Sequence, residues 1–177
     1  VGALQLDTVL WLDFSSEERG GSMYELLYTS LAVRDYSDGE LNELLQEARG
    51  GNARLSVTGM LIYYDREIAQ LLEGEEKVIK RLFEKIEADP RHMLVETLFE
   101  GPIEKRAFGG WSMAFRKIRE EDRERLSQRG IQNLESGSSF VGSIKSSPNV
   151  GKRMLFQVRD LILKSHAGVE MDSFTSV

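Results

Sequence analysis

From residue 23 onwards, the alternation of apolar and polar positions divides the chain into short elements of two distinct periods. Met23 to Leu31 alternates as a strand, with Tyr24, Leu26, Tyr28 and Ser30 on one face and Leu27, Thr29 and Leu31 on the other. Ser37-Asp38-Gly39-Glu40 forms a capping box, with Ser37 as N-cap and Glu40 at N3. It opens a helix with Leu41, Leu44, Leu45 and Ala48 at helical spacing, which Gly50-Gly51 is expected to stop. Val57 to Tyr64 and Glu67 to Glu73 then form a hairpin around Asp65-Arg66. That turn lacks the glycine a two-residue hairpin loop prefers, which leaves room for a longer loop.

After Gly74 a second helix carries Val78, Ile79, Leu82, Phe83 and Ile86 and ends before Pro90. Met93 to Phe99 is a fourth strand, bounded by Gly101-Pro102, and Trp111 to Phe115 a short fifth after Gly109-Gly110. The order predicts an α+β fold: a ferredoxin-like βαββαβ sandwich with an added fifth strand. In that plan the first and third strands are central neighbours, so Tyr28 and Gln70 sit side by side on the helix-covered face. The other face, with Leu27, Ala69 and Leu71, needs a cover. The tail offers one. Ser147-Pro148 opens a helix striped by Met154, Leu155, Val158, Leu161 and Ile162, and a more charged helical segment runs from Arg119 to Leu134. Both helices are expected on the opposite sheet face or on a partner, joined by a Gly/Ser-rich link from Ser136 to Ser147. The charged run Arg116 to Arg129 is expected to be a solvated helix face, and the residues from Gly168 to fray. Residues 1–22, ending in Gly20-Gly21-Ser22, form an extension, flexible or foreign to the domain. Residues 23–117 form the domain and 118–177 a helical extension.

One polar residue stands out. Ile68, Gln70 and Leu72 share a face of the third strand, while Ala69 and Leu71 share the other with Glu67 and Glu73. Gln70 therefore places a primary amide between two large aliphatic residues in a layer expected to be core. Unpaired there, such a group costs about 1–3 kcal/mol. Either neighbouring backbone satisfies it, or it faces a bound polar ligand. Taken singly, the other candidates have plain readings: Tyr28 as a bonded core tyrosine, Asn52 as a turn residue, Arg91-His92 as a solvated loop, and Trp111 and Met113 as core packing.

Composition narrows the chemistry. In 177 residues, 23 basic and 29 acidic side chains give a net charge of −6, which argues against nucleic acid as partner. No cysteine is present, which removes disulfides, thiolate catalysis and thiol photoadducts; His92 and His166 are too few for a histidine metal site. No run is long enough to span a membrane and no signal peptide is evident, so a cytoplasmic protein is expected.

Several separated motifs together resemble the BLUF domain family, blue-light sensors that bind flavin. They are Leu27-Tyr28-Thr29-Ser30, Asn52-Ala53-Arg54 before Val57-Thr58-Gly59, Gln70-x-Leu72-Glu73-Gly74, Asp89-x-Arg91-His92, and Trp111-Ser112-Met113. The resemblance runs from Met23 to Phe115. It implies that FAD is bound non-covalently, with FMN or riboflavin sometimes tolerated. It also implies that Tyr28 gives an electron and a proton to the excited flavin and that Gln70 bridges Tyr28 to the ring. Asn52, Arg54, Arg91 and His92 would line the cofactor pocket, and Trp111 and Met113 would lie on the fifth strand, where side-chain exchange accompanies signalling. Two departures are visible. Gly51 stands where the family often carries a second polar or aromatic side chain, which puts one flavin contact in doubt, and Ser56-Val57 replaces the commoner Gly-Ile.

The leading expectation is a photoreceptor without an attached catalytic domain, signalling to a downstream protein or through a homo-oligomer. A ferredoxin-like interaction or RNA-binding module, using the first-strand tyrosines as a stacking platform, is the alternative. An acylphosphatase-like enzyme is a third, though no phosphate-cradling glycine loop is present.

Overall fold

A computed structural model describes residues 22–128, 139–145 and 148–165. Residues 1–21 of the N-terminal extension, residues 129–138, residues 146 and 147, and the last twelve residues lie outside them. Ten elements follow in order: β1 (Met23–Ala32), α1 (Asp38–Arg54), β2 (Thr58–Tyr64), β3 (Glu67–Glu75), α2 (Glu76–Ala88), β4 (His92–Pro102), β5 (Ala114–Lys117), α3 (Glu120–Gln128), α4 (Phe140–Lys145) and α5 (Pro148–Ser165). The strands form one sheet in the order β4-β1-β3-β2-β5, antiparallel except for β5, which runs parallel to β2. This is the ferredoxin-like plan with its extra strand.

Each sheet face has its own apolar layer, as the period of two requires. On one face Tyr24, Leu26, Tyr28 and Leu72 pack with Leu45 of α1 and with Val78, Ile79 and Phe83 of α2. On the other, Leu27, Met60, Ile62, Ala69 and Leu71 meet Leu126 of α3, Ile144 of α4, and Met154, Leu155 and Val158 of α5. The C-terminal helices therefore cover the face that βαββαβ leaves bare. Gly59 lets β2 and β3 approach: a Cβ there would lie 2.0 Å from the Leu71 carbonyl oxygen.

The local geometry departs from the sequence-based expectation in several places. Helix α1 runs through Gly50-Gly51 and ends at Arg54. Glycine weakens a helix interior by up to about 1 kcal/mol, but buried Gly51 and Asn52 face the core, and the stop comes from Ser56, at φ 54°. The β2–β3 loop has only two residues, Asp65 and Arg66, both at positive φ (45° and 68°). Arg66 offsets that strain by donating from Nε to the Ala32 carbonyl and from Nη2 to Val33, at 2.9 and 3.2 Å, while its own carbonyl accepts from the Ala32 amide at 2.8 Å. The link after Ser136 contains a short helix, α4. Finally, the charged run is not wholly solvated. Asp122 and Arg123 are buried, Asp122 accepting from Arg116 and from the Arg119 amide, and Arg123 lying 4.6 Å over the Tyr64 ring.

Candidate functional site

Tyr28 and Gln70 face each other across the central β1–β3 pair in direct register. Both are buried, Tyr28 completely, and the Tyr28 hydroxyl donates to Gln70 Oε1. The Tyr28 ring leans against Phe83 of α2, centroids 5.2 Å apart. Burial, followed by the charge of Asp89, pushes the phenol well above its ordinary pKa, so its proton stays on oxygen throughout the neutral range. Gln70 Nε2 donates to Met113 Sδ at 3.5 Å. A thioether is a weak acceptor, and an amide has two donor hydrogens and two lone pairs. Gln70 thus has one good partner, one poor one, and hydrogen-bonding capacity to spare in an apolar layer.

The last turns of α1 contribute the next group. Asn52 is buried and donates from Nδ2 to the Ser112 carbonyl at 2.9 Å, and Arg49 donates from Nε to the Met113 carbonyl at 3.0 Å. The far end of α2 contributes a third. Arg91 forks onto Asp89, with Nε 3.0 Å from each oxygen and Nη2 2.6 Å from Oδ2, and reaches Glu47 of α1 at 3.7 Å. Burial raises the Asp89 carboxyl, but the Arg91 guanidinium and backbone amide outweigh it and hold Asp89 below its usual pKa. His92 Nδ1 lies 3.0 Å from the Ser30 hydroxyl, and burial lowers its pKa, so the ring is neutral at pH 7.

Of the expected residues, then, the structure joins Tyr28, Gln70 and Met113 directly and ties Asn52 to the segment that carries Met113. Arg91 and His92 sit at the end of α2, where Arg91 links it to α1. Arg54 is exposed, its Nε on the Gly50 carbonyl at 3.1 Å. Trp111 and Met113 precede β5 instead of lying on it. In a strand, side chains two apart share a face; here Trp111 packs with Phe108 on the α5 side while Met113 lies beside Gln70 on the α1–α2 side. The irregular path from Gly109 to Met113, with Trp111 N bonded to Phe108 O at 2.9 Å, separates them.

Tyr24 and Tyr28 are buried beneath the helices, so β1 offers no exposed platform on which RNA bases could stack. A surface depression of about 400 Å³ opens beyond the end of α1 near Ser56, Thr58 and Arg106, but neither Tyr28 nor Gln70 lines it. Among the described residues no helix is long and apolar enough to cross a membrane, and no acidic or histidine cluster could hold a metal. Arg49 was not foreseen from sequence, and Ser112 entered only as the middle of the Trp111-Ser112-Met113 motif, with no role assigned to it. The only signal was their spacing, one a helical turn before Asn52 and the other beside Met113.

Several known proteins are similar to this chain in sequence and fold. The beta subunit of photoactivated adenylate cyclase from Euglena longa is 40% identical over 83 residues, 47% of this chain and 10% of that protein. The blue light- and temperature-regulated antirepressor BluF of Escherichia coli (strain K12) is 30% identical over 103 residues, covering 58% of this chain and 26% of the other. The chain thus spans about a tenth of the length of its cyclase relatives. Among solved structures, the photo-activated state of BlsA superposes with a TM-score of 0.62 at 28% identity, covering 76% of this chain and 93% of the other. The BLUF protein BlrB in its dark state gives 0.57 at 27% identity, covering 71% and 94%. The profile of sensors of blue light using FAD matches residues 23–114, more than half of the chain. By that match, and with Tyr28 and Gln70 paired in the middle of its sheet, the chain belongs to the BLUF family of blue-light sensors that use FAD.

Proposed function

We propose that residues 23–117 sense blue light through the Tyr28–Gln70 pair and that the helical extension, residues 118–177, passes the change to a partner protein or a second copy of the chain. The observation that carries the reading is the hydrogen bond from a fully buried phenol to a buried amide whose other end, among the described residues, meets a thioether. The residues present fit a flat ring with carbonyl and nitrogen atoms along its edge. Gln70 has spare donors and acceptors, Asn52 presents a buried amide from α1, and Arg91 and His92 present donors beside the end of α2. Bound FAD supplies a ring that absorbs blue light and accepts an electron. Tyr28 holds its proton at Oη until that moment, and the apolar layer around it excludes water.

Gln70 is the moving part. An amide that turns over exchanges its donor and acceptor ends while its volume hardly changes. The starting arrangement offers Oε1 to Tyr28 and Nε2 to Met113. The reversed one offers Nε2 to Tyr28 and frees Met113 from its bond, so β3 and the segment before β5 feel the change. The family match is to a sensor and not to a catalytic domain. A relative named as an antirepressor supports output through a protein partner.

The test is Gln70→Leu. The variant is expected to retain flavin and lose the light-induced spectral shift. A variant with bound flavin and an unchanged shift would remove Gln70 from the mechanism.

A further inference from the structure

Glu73 is a fully buried carboxylate three residues after Gln70 on β3, on the opposite sheet face. Nothing in the light response described so far uses it. Its Oε1 accepts from the Ala107 amide at 2.7 Å, and its Oε2 from the Phe108 amide at 3.0 Å and the Thr58 hydroxyl at 3.1 Å. Arg106 closes the same knot. Its Nη1 donates to Thr58 Oγ1 at 2.8 Å and to the Glu73 carbonyl at 2.9 Å, and its Nη2 to the Ser56 carbonyl at 2.7 Å. The carboxylate therefore pins the chain at Ala107 and Phe108 onto the strand that carries Gln70.

That chain leads directly to Met113. From Phe108 the path turns at Trp111, whose amide bonds the Phe108 carbonyl at 2.9 Å and whose own carbonyl accepts from the Gly59 amide at 3.2 Å. It then reaches Ser112 and Met113, held by Asn52 and Arg49, and the Met113 sulfur touches the Gln70 amide. Glu73 fixes one end of a short segment whose other end rests on the group that must turn over. A buried charge that collects two backbone N–H groups is a stiff anchor, because charge-assisted bonds are about twice as strong as neutral ones.

We propose that Glu73 is a positioning residue for the light response: by anchoring Ala107 and Phe108 it holds Met113 against Gln70 and so sets how fast the Gln70 amide returns in the dark. This rests on the photoreceptor reading. Loosening the anchor frees Met113 to give way, lowers the barrier to amide reversal, and speeds recovery.

The experiment uses the full chain loaded with FAD and the variant Glu73→Gln, which keeps the shape but replaces one acceptor oxygen with an NH₂ group that meets an N–H donor. In darkness its Ala107 and Phe108 amides should exchange hydrogen about tenfold faster than in the parent. After a blue flash it should recover about three- to tenfold faster, the change expected for one lost hydrogen bond. Thr58→Val, which removes one donor to Glu73 and one of the acceptors of Arg106 but leaves the carboxylate and its two backbone amides in place, should shift both readings less and in the same direction, and it carries the test if Glu73→Gln does not fold. Ser37→Ala serves as the control. It removes the N-cap of α1, remote in sequence from this knot, and should lower stability without altering recovery. Recovery unchanged in Glu73→Gln despite faster exchange, or altered equally in Ser37→Ala, overturns the proposal and leaves the photoreceptor reading standing. A parent protein that shows no light response removes both.

Discussion

Deleting the Tyr28 hydroxyl tests the buried pair as a thermodynamic object before any light is used. In Tyr28→Phe the ring still packs against Phe83, so the loss is confined to one oxygen. Gln70 Oε1 then loses its donor inside a layer where both residues are buried. An unsatisfied buried polar group costs about 1–3 kcal/mol, whereas replacing both partners by apolar groups of similar shape is nearly neutral. Tyr28→Phe should therefore destabilise by about 1–3 kcal/mol, and Gln70→Leu by a similar amount because it strands the phenol. The double variant should be no worse than either single one. The coupling energy of the cycle should be about 1–3 kcal/mol, well above the few tenths seen for independent sites. Urea unfolding of all four proteins gives the four free energies, with the FAD affinity of each measured separately so that its ligand stabilisation, which depends on concentration over Kd, is subtracted. For a chain of this size each kcal/mol also appears as about 2–4 °C in melting temperature. If the single losses simply add in the double variant, the two side chains do not share a buried hydrogen bond, and the switch built on it fails.

Two further outcomes follow from the same coordinates. Gly59→Ala would set a methyl group 2.0 Å from the Leu71 carbonyl oxygen; it should destabilise by about 3 kcal/mol or more, the upper range for overpacking, and a melting temperature equal to the parent's would show that β2 and β3 are not so close. His92 has a folded pKa below its unfolded value of about 6.5 because burial disfavours the charged ring. Between those values the unfolded chain binds more protons, so this contribution is complete above about pH 6.5 and is lost as pH falls toward the folded value. His92→Gln should flatten that acid-side fall in an unfolding titration, and an identical slope in both proteins would rule out His92 as its source.

Much of the site was legible in one strand. The alternation through Ile68, Gln70 and Leu72 placed an amide in the core, and the βαββαβ order put it beside Tyr28, where the register confirms it. The Ser37–Glu40 capping box likewise forms as its spacing demands. What local pattern could not show is where tertiary contacts override it. Gly50-Gly51 looks like a stop, yet the helix continues because buried Gly51 and Asn52 belong to the core, and Asn52 bonds Ser112 sixty residues away. Asp65-Arg66 is poor turn chemistry, redeemed by contacts from Arg66 to the end of β1. Trp111 and Met113 have strand spacing, but the segment is shaped by bonds to Gly59, Asn52 and Arg49 and not by a ladder. Asp122 and Arg123 look solvated because each finds its partner outside its own helix face. Glu73 was open to the argument that singled out Gln70, a polar group on an apolar face. Its partners, however, are two backbone amides, which no side-chain pattern reveals, and the Thr58 hydroxyl on the neighbouring strand.

The account stands most directly on an absorption spectrum of the purified, FAD-loaded protein recorded in darkness, immediately after a blue flash, and again after dark recovery. It predicts a flavin spectrum that moves slightly to longer wavelength on illumination, keeps its oxidised form, and returns to the starting trace. A protein that takes up no flavin, or whose bound flavin shows the same trace before and after the flash, would contradict it.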